Sequence, residues 1–165
     1  LICPNLLAKL CSQFLLKFMT CAIAVYFSGR IKIYEIIEDT MAIDFKVVDK
    51  GAVNFRKAYM SVLLPDTFPA FLLSSSQNFT SSASKLLYSI DPYGDTLLSN
   101  DDLKNIQQLC EQICKIFANV QNYSIYDELK RYNIKVNDLM VFANSMQCLI
   151  SFAFMNDKDV WAVGD

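Results

Sequence analysis

A regular spacing of apolar residues between positions 103 and 120 constrains the fold of this chain more than any other feature. The apolar residues there recur every three or four positions, at Leu103, Ile106, Leu109, Cys110, Ile113, Phe117 and Val120. Polar residues fill the positions between them, which predicts an amphipathic helix with one face in a core. Ser99 precedes the helix, and Asp102 follows at the spacing of a capping box.

Strand patterns lie on both sides of this helix. Residues 43–47 alternate apolar and charged side chains, as a half-buried strand does, and residues 85–90 have strand composition. Residues 149–154 also have strand composition, and the polar residues 156–159 predict a turn after them. Residues 160–163 would then return as the second arm of a C-terminal β-hairpin.

Two more helices are predicted, over residues 124–131 and from residue 137 to 147. Residues 53–64 suit a strand or a helix, and the Ser-rich residues 74–84 predict a mobile loop. Trp161, with Phe152 and Phe154, could form an exposed binding face, and we favour the alternative that it is a core residue. Together these patterns predict the α+β class, a small single domain with a mostly antiparallel sheet, about three helices and a C-terminal β-hairpin.

Composition limits the functions that this chain can perform. Hydrophobic residues make up 53% of its 165 residues, which is enough apolar surface to form one core. The chain has no histidine, which removes His-containing zinc sites and Ser-His or Cys-His nucleophiles. The net charge is -2 without a basic run, so we expect no nucleic-acid partner. The six cysteines form no C-x-x-C motif and are interpreted as core thiols. We expect no metal site and no cofactor.

Residues 1–40 differ in character from the rest of the chain. Residues 6–29 are apolar but contain lysines, and their uncharged stretch is too short to span a bilayer. Three interpretations remain open: a signal peptide or weak membrane anchor, an amphipathic or buried helix, or an untranslated leader read in frame. We favour a leader with translation starting at Met41, because codons for the Glu-Asp pair just upstream can spell a purine-rich ribosome-binding sequence. We therefore expect one cytoplasmic domain over residues 41–165, and a membrane association only if residues 6–29 are translated and inserted.

The main concentration of oxygen ligands begins within the segment Ile-Asp-Pro-Tyr-Gly-Asp-Thr at residues 90–96 and continues to residue 102. It consists of Asp91, Asp95, Asn100, Asp101 and Asp102. The Pro and Gly predict a turn, and the later carboxylates suit the first turn of a helix, so we favour a structural role. A divalent-cation site is the alternative, although the spacing does not match an EF-hand loop.

This segment and the final Val-Gly-Asp at 163–165 resemble a group of small uncharacterised bacterial proteins. In that group a strand leads into a D-P-Y-G-D-T turn, a helix follows, and the chain ends on a hydrophobic strand with G-D. The resemblance covers about the second half of the chain, and it differs at 97–100, where Leu-Leu-Ser-Asn replaces an aromatic-Asn step. It implies a stand-alone immunity or accessory partner of a toxin.

We therefore expect a non-catalytic protein-binding domain, of the immunity type, that neutralises a toxin through an acidic face. The candidate residues of this face are Asp91, Tyr93, Asp95, Asp101 and Asp102. Carboxylates on such a face would steer association with a basic partner. Two alternatives are a membrane-associated protein held by residues 6–29 and a divalent-metal carboxylate enzyme using the same turn.

Overall fold

The computed structural model of the chain describes residues 42–52, 54–118 and 123–164, without the side chains of residues 123 and 124. The predictions for residues 1–40 and for a start at Met41 lie outside the described residues.

Four antiparallel strands form one sheet in the order β2-β1-β4-β3. They are β1 (Ile43–Val48), β2 (Met60–Leu64), β3 (Asp95–Leu97) and β4 (Asp159–Val163). The alternation expected at residues 43–47 is confirmed, because Ile43, Phe45 and Val47 are buried on one face of β1. The last strand of the chain therefore lies inside the sheet, between β1 and β3.

The described residues form five α-helices, whereas the sequence predicted about three. They are α1 (Thr67–Ser74), α2 (Ser81–Ser89), α3 (Asn100–Ala118), α4 (Tyr123–Arg131) and α5 (Val136–Met155), with a short 3-10 helix at Phe55–Lys57 between β1 and β2. The apolar residues of the helices and of one sheet face form a single core cluster. The α+β class is confirmed, and so are the three predicted helices, here α3, α4 and α5, although α5 is longer than expected.

Helix α2 covers residues 81–84 of the predicted loop and residues 85–89 of the predicted strand, so the strand prediction is wrong and the loop prediction is wrong over 81–84. Its buried residues Ala83, Ser84 and Leu87 follow helical spacing and not the alternation of a strand. The Thr80 backbone N–H and hydroxyl both lie 2.7 Å from Gln112 Oε1 on α3, which ties the start of α2 to the long helix. The serine-rich segment therefore contains the turns at 75–80 that connect α1 with α2, followed by the first turn of α2.

The predicted C-terminal β-hairpin is wrong, because residues 149–154 belong to α5. Buried residues continue along that helix at three- and four-residue spacing, at Met146, Leu149, Ile150 and Ala153. Residues 148–155 contain no Gly or Pro that would end the helix, and its apolar face extends to Met155. Strand β4 then pairs with the distant strands β1 and β3.

Helix α5 is long and apolar enough to cross a membrane by length and composition alone. The same composition is found in the core helix of a globular domain, and α5 supplies seven buried residues to the core cluster. It packs against α3 and against the sheet at β2 and β4. Packing within the domain accounts for these buried residues, whereas Val141, Phe154 and Met155 of the same helix are exposed.

Ionic and polar contacts join the loop after β1 to the loop before β4. The Lys158 ammonium lies 2.6 Å from Asp49 Oδ1 and 4.7 Å from the centroid of the Tyr59 ring. The Tyr59 hydroxyl also donates to Asp49, at 3.0 Å. Close by, Gly51 N–H donates to Asp159 Oδ2 at 2.8 Å. These contacts fix the connection between β1 and β2, which contains the 3-10 helix, to the start of β4.

Acid is expected to weaken this loop junction through Asp49. Its hydrogen bonds with Lys158 and then Tyr59 hold the pKa of Asp49 below its ordinary value. The resulting stabilisation is fully present above the ordinary pKa of an aspartate and is lost as pH falls through the lowered pKa. The stability difference between wild type and Asp49→Asn should therefore be largest near neutral pH and shrink towards about pH 2. Urea unfolding across that range measures it.

Asp66→Asn is the matched control, since Asp66 is exposed and its side chain forms no cap hydrogen bond with α1. An Asp49→Asn profile parallel to wild type at all pH values would contradict the assignment.

Candidate functional site

The segment at residues 91–94 forms a β-turn whose backbone is fixed by two hydrogen bonds. The Gly94 N–H donates to the Asp91 carbonyl at 3.2 Å, and the Tyr93 N–H donates to Asp91 Oδ1 at 2.9 Å. Pro92 occupies the second position of the turn, where its fixed φ is compatible with the fold. The turn expected from the sequence is confirmed, and it leaves the Tyr93 side chain 70% exposed.

The end of β4 packs directly on this turn. The Gly164 N–H donates to the Gly94 carbonyl at 3.0 Å, and Asp95 pairs with Val163 in the sheet. A Cβ atom at Gly164 would collide with the Pro92 carbonyl, so this approach requires glycine. The two motifs of the sequence resemblance, the D-P-Y-G-D-T segment and the C-terminal glycine, are thus one packed unit. Asp165 lies outside the described residues.

The carboxylates at the start of α3 have different roles. Asp102 and Ser99 form a reciprocal capping box: the Ser99 N–H donates to Asp102 Oδ2 at 3.0 Å, and the Asp102 N–H donates to Ser99 Oγ at 3.2 Å. Asp101 forms an exposed ion pair with Lys104, at 3.0 Å. In the described part of the chain, no hydrogen bond or ion pair connects either residue with the 91–94 turn. Asp102 is therefore structural, whereas Asp101 presents its charge to solvent.

Asp95 lies on the sheet face opposite the core, beside residues that the sequence analysis did not select. The cross-strand register places Leu63, Asp44, Val163 and Asp95 in one row, and Ser61, Lys46, Trp161 and Leu97 in the next. The side chains of this face alternate with the buried ones, so they point away from the core.

A shallow depression on this outer face is lined by Lys46, Asn54, Phe55, Arg56, Asp95 and Val163. Phe55 packs on Trp161 with ring centroids 5.3 Å apart, so Trp161 is a half-buried residue of the outer face and not part of the core cluster. The Lys46 ammonium pairs with Asp44 at 3.4 Å. Sequence reasoning missed Phe55 and Arg56, because only the long-range register brings them near Asp95.

Two features of the described residues concern metal binding and thiol reactivity. Within residues 42–52, 54–118 and 123–164, no group of three His, Cys, Asp or Glu side chains is arranged to hold a metal ion. Burial raises the pKa of the Cys110 thiol well above its ordinary value, which disfavours the nucleophilic thiolate. The exposed groups of the site are a tyrosine, a leucine and aspartates.

Comparison with protein-family models, curated proteins and solved structures gave no match for this chain.

Neighbouring carboxylates at the start of α3 should differ in their effect on stability. Asp102→Ala removes the acceptor for the Ser99 N–H and hydroxyl, and we expect it to lower the free energy of unfolding by about 1 kcal/mol. Asp101→Ala removes only an exposed pair with Lys104 and should cost less than about 0.5 kcal/mol. Urea unfolding of the two variants measures the difference, and equal losses would contradict the capping assignment.

A side chain at Gly164 should disturb the turn and the end of the sheet together. Gly164→Ala places a methyl group against the Pro92 carbonyl, and we expect a loss of about 1–3 kcal/mol in the free energy of unfolding. Amide chemical shifts of Tyr93 and Asp95 should move in the folded variant. Wild-type stability with unchanged shifts at both residues would show that the turn does not depend on this contact.

Proposed function

We propose that this chain is a non-catalytic protein-binding domain of the immunity type, which neutralises a toxin by covering part of its surface. The binding surface is defined as Asp91, Tyr93, Asp95 and Leu97, and is called the turn surface below. The observation that carries the proposal is Tyr93, a large aromatic side chain that is 70% exposed on a turn with a fixed backbone.

Fixed presentation of an aromatic side chain favours binding. Tyrosine is enriched among the residues that dominate interface energies, because it contributes a large contact area and has few rotatable bonds. The turn hydrogen bonds and the contact with Gly164 already order the Tyr93 backbone before a partner arrives. Leu97, 48% exposed on β3, adds a second exposed apolar side chain to the turn surface. Association therefore costs little backbone entropy at this site.

The charges around Tyr93 favour a basic partner. Asp91 and Asp95 flank it in the chain and are exposed, and Asp101 adds a third exposed carboxylate after β3. Such charges accelerate association with a partner of opposite charge and oppose like-charged competitors. Lys46 and Arg56 line the same depression as Asp95, so basic side chains border the acidic residues on the outer face of the sheet. Asp102 is left out of the surface, since the capping box engages its carboxylate.

Charge reversal and truncation at the turn surface test the proposal. The protein would be used to capture partners from a lysate of the source organism, and the affinity of each captured protein would then be measured at low and high salt. Tyr93→Ala should weaken binding by at least about tenfold, and Asp95→Lys should do the same while reducing the salt dependence.

Asp66→Lys is the control, since it changes the net charge equally from the exposed start of α1. A captured partner whose affinity is unaffected by Tyr93→Ala and Asp95→Lys, or equally reduced by Asp66→Lys, would refute the turn surface.

A further inference from the structure

We infer that β3 engages its partner by strand addition, in which an extended segment of the partner pairs antiparallel with the free edge of β3. The segment places a basic side chain opposite Asp95 and an apolar side chain opposite Leu97. The inference rests on the proposed function, and it specifies how the turn surface recognises its partner.

The hydrogen bonds between β3 and β4 show which backbone groups of β3 face outward. The Gly164 N–H donates to the Gly94 carbonyl, and the Leu98 N–H donates to the Val160 carbonyl, each at 3.0 Å. In an antiparallel pair, alternate residues direct both backbone groups to the same neighbour. Gly94, Thr96 and Leu98 therefore bond to β4, whereas the N–H and C=O groups of Asp95 and Leu97 point away from it.

These outward groups have no partner within the described part of the chain. β3 is an edge strand, and no hydrogen bond between described residues reaches the backbone of Asp95 or Leu97. Unpaired groups on an edge strand are the template that strand addition uses. The Tyr93 N–H is already bound to Asp91 and the Ser99 N–H to Asp102, so these two donors mark the ends of the available edge.

The side chains on this edge specify the partner segment. Asp95 and Leu97 are both exposed and, two residues apart, project from the same face of the sheet. A basic residue opposite Asp95 would form a favourable cross-strand pair. An apolar residue opposite Leu97 would extend the row in which Trp161 lies next to Leu97 and packs on Phe55. In an antiparallel partner strand, read from its N-terminus, an apolar residue opposite Leu97 comes first. Any residue follows it, and a basic residue opposite Asp95 comes third.

The opposite edge of the sheet lacks this combination. Strand β2 places Ser61 and the half-buried Leu63 on the outer face, which supply neither a charge nor an exposed apolar side chain. The charge and the apolar group that distinguish a partner are found together on β3. This difference selects β3 as the edge that is recognised.

Titration with short peptides, followed by NMR of the ¹⁵N-labelled protein, tests the inference directly. The probe is acetyl-Thr-Val-Thr-Lys-Thr-amide, whose Val and Lys would lie opposite Leu97 and Asp95. We expect shifts and slowed hydrogen exchange at the Asp95 and Leu97 amides, while the Thr96 amide is protected with or without peptide. A peptide with Glu in place of Lys, and one N-methylated at Val and Lys, should bind at least about tenfold more weakly.

A pair of variants separates the backbone contribution of Leu97 from that of its side chain. Leu97→Pro removes the outward N–H and leaves the bonds of Thr96 and Leu98 to β4 in place, and proline is tolerated on edge strands. Leu97→Ala removes the side chain and keeps the N–H. Leu97→Pro should bind the peptide at least about tenfold more weakly than Leu97→Ala, with thermal unfolding confirming that both variants fold.

The possible outcomes distinguish this inference from the proposed function. If no peptide shifts the Asp95 and Leu97 amides at millimolar concentration, while a captured partner still depends on Tyr93 and Asp95, strand addition is wrong and the proposed function stands. If neither peptide nor partner depends on these residues, both are wrong. Sedimentation showing a dimer that Leu97→Pro dissociates would identify a second copy as the occupant and overturn the assignment to a basic partner.

Discussion

The fold depends on the insertion of the C-terminal strand between β1 and β3. Strand β4 pairs with the first strand of the described domain on one side and with the short β3 on the other, so the sheet is completed only by the last residues of the chain. Val160 and Ala162 of β4 are fully buried against the helices, and they join the core that Phe45 and Val47 build from β1. Contacts between such distant parts of the sequence are formed at a high cost in loop entropy, which the shared apolar core offsets. Strand β3 has only three residues, and in the sheet it pairs with β4 alone.

Local chemistry made much of this fold predictable. The periodicity of α3, its capping box, the strand at 43–47 and the turn at 91–94 are all determined by neighbours within a few residues. The errors share a different cause. Residues 149–154 and 85–90 have compositions that suit a strand, but both lie on helices whose buried faces meet the core, and tertiary packing overrides composition there. Strand order and register also follow from packing, and no local pattern expresses them.

The candidate site also has features that follow from the local sequence and features that follow only from tertiary packing. Sequence alone selected Asp91, Tyr93, Asp95, Asp101 and Asp102 as candidates. The turn explains the aspartate at 91, and the helix cap explains the aspartate at 102. The sequence did not separate the carboxylate engaged in the capping box from those exposed to solvent. Nor did it show that Asp95 shares an outer face with Phe55, Arg56 and Trp161, because that neighbourhood is created by the register of β1, β4 and the connection after β1. The sequence shows which polar and aromatic side chains are present, whereas the strand register determines which of them lie next to each other.

Under the proposed function, the same contacts would support both the stability of the fold and the recognition of a partner. The Gly164 hydrogen bond joins β4 to Gly94 in the turn that carries Tyr93, and the pairing that holds β3 to β4 leaves the Asp95 and Leu97 backbone facing outward. A change that loosens the end of β4 would therefore reduce partner affinity even without touching the turn surface, because the backbone order that lowers the entropy cost of binding would be lost. A short edge strand suits this arrangement: it limits uncontrolled association between sheets, yet its two outward-facing residues still provide a specific combination of charge and apolar surface. Under the proposed function, recognition would therefore require that β4 is paired with β3.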